Sequence, residues 1–359
     1  MKNRIVDANF PRTLDERVYH LGIKAGEVAN RVVTVGSPSR AERISKYLDA
    51  SPKPFVLSTE RGFLTITGRY KGVPVSIISI GMGAPNMDFF VREVRESLNG
   101  DLVVVRLGSC GGLIDVPVGT VVIPTASIAV NRNYNFDFLN ENESSGEKPY
   151  RFSKQVQADP ELRAAVKAAL EKTHPQSITT GVIADTLNAS TDSFYSSQGR
   201  ITSFPDHNGG IIEELKSKYP DLATFEMETF HLLHLAASWP THKSSSSPKP
   251  LPPLSNLGAS PTIADPAVPS HQSHQHVPAD VSTSATDGHV LVPQPRIRAA
   301  AAQMVFAARG SGGFITPSQV DTLEEWCAVA VLDALASFKI DRERLHEDIG
   351  SVWEYSSAS

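Results

Sequence analysis

The feature that most limits what this chain can fold into is a pair of short runs that are aliphatic or β-branched at successive positions, not alternate ones. They are R-V-V-T-V at 31–35 and D-L-V-V-V-R-L at 101–107. A strand with one solvated face alternates polar and apolar residues, so an unbroken run reads as a strand buried on both faces. Between and beyond these runs lie stretches with helical spacing. S-R-A-E-R-I-S-K-Y-L-D at 39–49 reads as a helix, and F-L-T-I-T-G-R-Y-K-G-V-P-V-S-I-I-S-I at 63–80 as two strands around the K-G turn at 71–72. N-M-D-F-F-V-R-E-V-R-E-S-L reads as a helix with Asn86 as N-cap and Asp88 in its first turn. Asp159-Pro160-Glu161 opens a helix through about Lys172, with proline at the first helical position. F-E-M-E-T-F-H-L-L-H-L-A-A-S at 225–238 reads as helical, A-A-A-A-Q-M-V-F-A-A at 299–308 as a strand, and 318–338 as a long helix. Strands alternating with helices point to an α/β fold with a central mixed sheet, and 1–359 is expected to form a single domain.

Residues 240–295 do not share this pattern. They hold 11 of the 25 prolines, 10 serines, 5 of the 11 histidines and no aromatic residue. Such a composition cannot bury enough apolar surface to offset the entropy of ordering. It is expected to be a disordered insertion in a helix-to-strand connection, where added length costs little. H-Q-S-H-Q-H at 271–276 has metal-binding residue types but no cysteine near it and no carboxylate within three residues, so it reads as a solvated linker and no metal is expected.

A net charge of −5 gives no bulk attraction to nucleic acid or membranes. No run of about 18 apolar residues offers a membrane span. Cys110 and Cys327 make no disulfide framework, and the first residues, M-K-N-R-I-V-D-A-N-F-P-R, lack the apolar core of a signal peptide. A reducing, cytoplasmic setting is expected.

Four segments at strand ends combine glycine with arginine, serine or small residues: G-S-P-S-R at 36–40, R-G-F at 61–63, G-M-G-A-P-N at 81–86 and R-L-G-S-C-G-G at 106–112. Glycine lets the chain turn sharply and expose N–H groups to an anion, and arginine adds a fork of permanently charged donors. Arg106 interrupts an apolar run, so its charge is either buried in a pair or turned to a ligand. Neither a GxxxxGK[ST] loop nor a GxGxxG turn is present, so the anion is a free phosphate or a ligand group, with nothing to suggest a nucleoside triphosphate. E-M-E at 226–228 has two readings: acidic residues complementing a helix N-terminus, or a carboxylate accepting from sugar hydroxyls. D-S-F-Y-S-S-Q-G-R at 192–200 reads, taken alone, as a surface turn or as a ligand loop.

Taken in order, Y-H-L-G-I (19–23), V-G-S-P-S-R (35–40), G-M-G-A-P (81–85), V-R-L-G-S-C-G-G (105–112), D-S-F-Y-S-S-Q-G-R (192–200), F-E-M-E-T (225–229) and A-A-R (307–309) resemble the nucleoside phosphorylase superfamily, and within it the uridine phosphorylases. The resemblance covers about 19–238 and 297–340. It implies a partly barrel-like mixed sheet flanked by helices, and phosphate-dependent release of uracil from uridine with no cofactor beyond phosphate as co-substrate. It implies a phosphate cradle of Gly36, Arg40, Arg106 and Ser109. Arg61 would complete that cradle from the neighbouring subunit of a dimer, and His20 of the same neighbour would touch the ribose 5′ end. Met227 and Glu228 would hold the ribose, with Glu226 nearby. Phe194, Gln198 and Arg200 would hold the base, and Arg309 would support that pocket. Arg200, Gln198 and Arg106 would carry the catalytic step. A homo-oligomer with sites shared across a dimer follows, the uridine members commonly forming hexamers of three dimers.

The residue types suit that chemistry on their own terms. Uracil presents an acceptor, a donor and an acceptor along one edge. A glutamine amide matches the first two, an arginine matches the third, and an i, i+2 pair in extended chain shares a face. The sequence also departs from the family. Ser37 stands where an Asp is usual, Gly62 where bacterial members carry a potassium-binding Glu, and Cys110 where a Thr is usual. The alternatives are a purine nucleoside phosphorylase, disfavoured because A-R-G-S-G-G at 308–313 lacks the Asp that purine enzymes place there, and a catalytically silent scaffold.

Overall fold

The computed structural model describes residues 4–140, 146–239 and 294–355. The insertion expected at 240–295 and its histidine run fall almost wholly outside the described residues. Two short strands, β1 (Ile5–Val6) and β2 (Arg12–Thr13), pair with each other. All other strands join one mixed sheet. Its open part comprises β3 (Arg31–Val35), β4 (Phe55–Ser58), β5 (Leu64–Tyr70) and β6 (Val73–Ser79). The longer strands follow: β7 (Leu102–Gly112), β8 (Val121–Arg132), β9 (Tyr150–Phe152), β10 (Val156–Gln157), β11 (Val182–Thr191), β12 (Leu222–Glu226), β13 (Ile297–Ala308) and β14 (Gly313–Phe314).

The pairings β7–β13, β13–β8, β8–β11, β11–β12 and β12–β7 form a closed ring, and β3, β6, β5 and β4 extend from β7 as an open sheet. The sheet is therefore partly barrel-like, and its strands run both parallel and antiparallel. Among the described residues six α-helices flank it: α1 (Pro38–Ser45), α2 (Ala84–Glu96), α3 (Pro160–Lys172), α4 (Ile211–Lys218), α5 (Thr229–Ser238) and α6 (Pro317–Ser337).

The two unbroken apolar runs are β3 and β7, which pair in parallel. Their side chains divide between two cores. Val33, Val35, Val103, Val105 and Leu107 pack with Ile44 of α1, Leu162 and Val166 of α3 and Leu335 of α6. Val32, Leu102 and Val104 pack with Phe90 and Val94 of α2 and Leu232 and Leu233 of α5. Helices on both faces leave no solvated side, which is why the runs do not alternate.

Several expected boundaries move. Helix α2 begins at Ala84 with Gly83 as N-cap, not at Asn86, because Pro85 takes an early helical position where no N–H is needed. Of 225–238, Phe225 and Glu226 finish β12 and the helix starts at Thr229, since this segment pairs with β7 and β11 before it turns. Helix α1 stops at Ser45 and not near Asp49, as Lys46, Tyr47 and Leu48 close tighter turns three residues back.

The flanks of the insertion meet: Trp239, just past α5, donates its indole N–H to the carbonyl of Pro295, just before β13, at 3.1 Å. A variant with 242–292 replaced by about six Gly/Ser residues, enough to bridge such a short gap, is therefore expected to melt cooperatively within a few degrees of the full chain. Aggregation or loss of a cooperative transition would show that the segment is structural.

Candidate active site

Strands β3, β7 and β13 run parallel, and their C-terminal ends open on a cavity of about 300 Å³. It is lined by Gly36, Ser37 and Arg40 after β3, by Arg106, Ser109, Cys110 and Gly111 of β7, and by Phe306 and Ala307 of β13. The turn from β12 into α5 adds Glu226, Met227 and Glu228, and the 192–200 loop adds Phe194, Gln198 and Arg200. Ligands in such sheets gather outside the carboxyl ends of the strands.

Arg106 sits in the middle of β7, level with Thr34 of β3 and Ala301 of β13, and is 4% exposed. Its Nη2 donates to Glu228 Oε2 at 2.9 Å. Its Nε and Nη1 are buried with no hydrogen-bond partner among the described residues. Buried donors are seldom left unpaired, so two on one guanidinium beside a cavity mark a place for an anion. Gly36 lies close enough that a Cβ there would sit 3.6 Å from Arg106 Nη2. Arg40, also buried, is held through Nε by Glu324 of α6 at 2.7 Å. Ser37, the departure from the family's Asp, caps α1 by accepting from the Arg40 N–H at 3.3 Å. It thus retains the capping function of a short polar residue. Ser109 lines the same side.

The two carboxylates of E-M-E divide between the two readings. Glu226 Oε2 accepts from the N–H groups of Glu228 and Thr229 at 2.8 and 2.9 Å, at the start of α5. Glu228 Oε1 accepts from the Gly83 N–H at 2.5 Å, and Oε2 holds Arg106. Gly83 has φ +92°, a conformation that aims its N–H at Glu228 and that side chains disfavour. Burial, with the Glu228 carboxylate next to it, pushes the Glu226 pKa up, opposed by the hydrogen bonds from Ser190, Asn188 and the Glu228 N–H. Burial raises the Cys110 thiol well above its ordinary value, so it lines the cavity as a neutral group.

The 192–200 segment is a loop, and Gln198 and Arg200 do meet. The backbone is not extended, however. Gly199 between them has φ +64°, and a Cβ there would lie 2.9 Å from Ile211 Cγ2, so a glycine turn brings the pair together. Arg200 Nη1 donates to Gln198 Oε1 and, at 2.6 Å, to the Phe194 carbonyl, and the guanidinium lies 3.7 Å from the centre of the Phe194 ring. Gln198 Nε2 donates to Thr191 Oγ1 at 2.9 Å. Each end of the amide retains one further bonding direction, one donor and one acceptor. Burial, with Arg309 alongside, pulls the Arg200 pKa to about 10, which leaves it charged at neutral pH. Arg309 is absent from the lining; it donates to the carbonyls of Gln198 and Gly199 at 3.1 and 3.4 Å and so supports the loop from behind.

His20 and Arg61 are also absent from this chain's cavity. They lie together: Arg61 stacks over Tyr19 at 4.3 Å and bonds its hydroxyl, and the Tyr19 and His20 rings meet edge to face. His20 Nδ1 is held by Glu93 at 2.6 Å, with its ring on Phe89. Lining residues that no sequence signal singled out are Phe306 and Phe314, apolar residues of a strand and its hairpin partner. Met82, 75% exposed, sits inside the glycine turn at 81–86 as its unremarked middle residue. Among the described residues no cluster of histidine, cysteine or carboxylate side chains could hold a metal ion, and no helix is long and apolar enough to cross a membrane.

Comparisons with known proteins show what the chain resembles. Residues 30–239 match the family model described as the phosphorylase superfamily. The chain is 30% identical over 241 residues, 66% of its length and 78% of the relative's, to a uridine phosphorylase of Thermococcus kodakarensis. It is 35% identical over 118 residues, 32% of its length and 48% of the relative's, to a DeoD-type purine nucleoside phosphorylase of Geobacillus kaustophilus. A solved structure from work on uridine phosphorylases of the oomycete Phytophthora capsici superimposes with a TM-score of 0.75 at 33% identity, covering 94% of this chain and all of that one.

The unpaired nitrogens of Arg106 make an anion a stabiliser. Inorganic phosphate at about 100 times its Kd is expected to add about 2.7 kcal/mol, a rise in Tm of roughly 4 °C for a domain of this size. Arg106→Gln should abolish most of that rise in a thermal-shift titration, and an equal rise in both proteins would place the anion elsewhere.

Proposed function

This chain belongs to the phosphorylase superfamily, and from that premise we propose that it cleaves uridine with phosphate to give uracil and ribose 1-phosphate. The observation that carries the choice of base is the Gln198–Arg200 pair on the cavity wall. The amide's remaining donor and acceptor match uracil O2 and N3–H. Arg200 uses Nη1 within the loop and can offer its other N–H groups to O4. The loop after β13, Arg309 to Gly312, contains no carboxylate for a purine ring nitrogen. The uridine phosphorylase relatives support the same reading.

The reaction builds positive charge on the sugar and negative charge on the departing base. An anionic nucleophile beneath the anomeric carbon suits the first. A cation already in place at O4 suits the second, because a preorganised charge in a partly dry site needs no rearrangement as the bond breaks. Arg106, Arg40, Gly36 and Ser109 hold the phosphate. Glu228 accepts from the ribose 2′- and 3′-hydroxyls while its other contacts tie it to Arg106, so nucleophile and sugar are set in register. No cofactor is required, phosphate being the second substrate.

The enzyme works in the cytoplasm as a homo-oligomer whose subunits pair so that the Tyr19–His20–Arg61 cluster of one completes the cavity of the next. The exposure of Tyr19 and Arg61, away from their own cavity, supports this.

Uracil release from uridine should require phosphate, and inosine should be cleaved far more slowly. Phosphate-independent release would indicate hydrolysis, and faster cleavage of inosine would sink the base assignment. Arg200→Ala is expected to lower kcat/KM for uridine roughly ten- to a hundredfold, the loss of a hydrogen bond from a charged donor. The phosphate KM should change little; a wild-type kcat/KM in that variant would remove Arg200 from the base site.

A further inference from the structure

Glu226 lines the cavity, yet its oxygens are turned into the protein. Oε1 accepts from Asn188 Nδ2 at 2.7 Å and from the Ser190 hydroxyl, both on β11. Oε2 accepts from the two N–H groups at the start of α5. Asn188 is fixed in turn: its amide also reaches Ser127 Oγ at 2.8 Å, and its Oδ1 accepts from Thr224 Oγ1 at 2.9 Å. Ser190 Oγ accepts from the Phe230 N–H at 2.7 Å. Among the described residues Glu226 has no ion-pair partner, while being 6% exposed.

A buried carboxylate without a cation is costly unless hydrogen bonds compensate it. Here four donors converge on two oxygens. Only an acceptor-only group satisfies them all, since a glutamine would turn its own NH₂ toward two of the donors. The contacts lead to the backbone that carries Glu228, two residues on, and not to the open part of the cavity. Gln198 and Arg200 sit on a separate segment.

We propose that Glu226 is a positioning residue: by clamping the Glu228 and Thr229 N–H groups to β11, it sets the Glu228 carboxylate between the Gly83 N–H and Arg106, where it reads the ribose hydroxyls. This rests on the reading of Glu228 as the sugar acceptor. Its consequence is selectivity for the sugar. Loss of Glu226 should weaken recognition of the 2′-hydroxyl more than recognition of the base.

The test compares kcat/KM for uridine and 2′-deoxyuridine in wild type, E226Q and the N188D/E226Q double variant, with folding checked by circular dichroism and Tm. Wild type should prefer uridine. E226Q should lose about tenfold of that preference, the scale of one misplaced hydrogen bond. The double variant reverses donor and acceptor across the 188–226 contact and should restore most of the preference. Equal losses on both substrates in folded E226Q, or no loss, would overturn the proposal. A double variant no better than E226Q would show that the 188–226 contact does not carry the effect, and would overturn it too. If E226Q does not fold, S190A carries the test, removing one donor while leaving the charge. It should lose about threefold of the preference, and equal losses on both substrates there would overturn the proposal. A wild type that releases no uracil from uridine would instead sink the parent reading, whereas an active wild type with an unchanged preference in the variants sinks only the role of Glu226.

Discussion

The buried ion pair between Arg106 and Glu228 is the constraint around which the rest of the site is arranged. A guanidinium in the middle of a strand with apolar neighbours is expensive to desolvate, and breaking such a pair by removing one partner costs on the order of 3–5 kcal/mol. Glu228 satisfies only one of the three nitrogens of Arg106; the other two have no partner among the described residues. The fold therefore holds a guanidinium with two unsatisfied donors, midway along β7 and level with the end of β3. In the proposed reading a second anion, the phosphate co-substrate, completes it. Because Glu228 is tied to the same guanidinium, the residues proposed to hold sugar and phosphate cannot move independently.

Holding that pair in place takes most of the surrounding architecture. The closed ring of β7, β13, β8, β11 and β12 brings β7, which carries Arg106, beside β12, which leads to Glu228. Gly83 presents its N–H to Glu228 because its backbone takes a conformation that side chains resist. Beneath, the hydroxyl and amide groups of Ser127, Asn188, Ser190 and Thr224 form a connected polar layer around Glu226. Such a layer is stable only when each member finds a partner, and it then specifies one arrangement.

Much of this was legible in the sequence, for identifiable reasons. Arg106 stood out because charge inside an apolar run must be paired or functional. The β3 and β7 runs showed double-sided burial because they never alternate. The 192–200 loop was legible by residue type, but the reason given for its pairing was incomplete: a left-handed Gly199 brings Gln198 to Arg200, and an extended-chain rule cannot represent that. The Asn86 cap failed because Pro85 is a stronger start signal than a polar residue one position later. Glu226 and Glu228 could not be told apart by composition. Their roles depend on which way each carboxylate points once β12 turns into α5. Phe306 and Phe314 look like any apolar residue of a hairpin, and only closure of the ring places them on the cavity.

The central claim is that one charge pair presents phosphate to the anomeric carbon of a bound nucleoside. It is tested most directly by turning over uridine with phosphate labelled with heavy oxygen and weighing the sugar product. The expected product is a pentose 1-phosphate that retains every labelled oxygen, including the one bridging sugar and phosphorus. Free ribose, or a sugar whose anomeric oxygen comes from solvent, would contradict it.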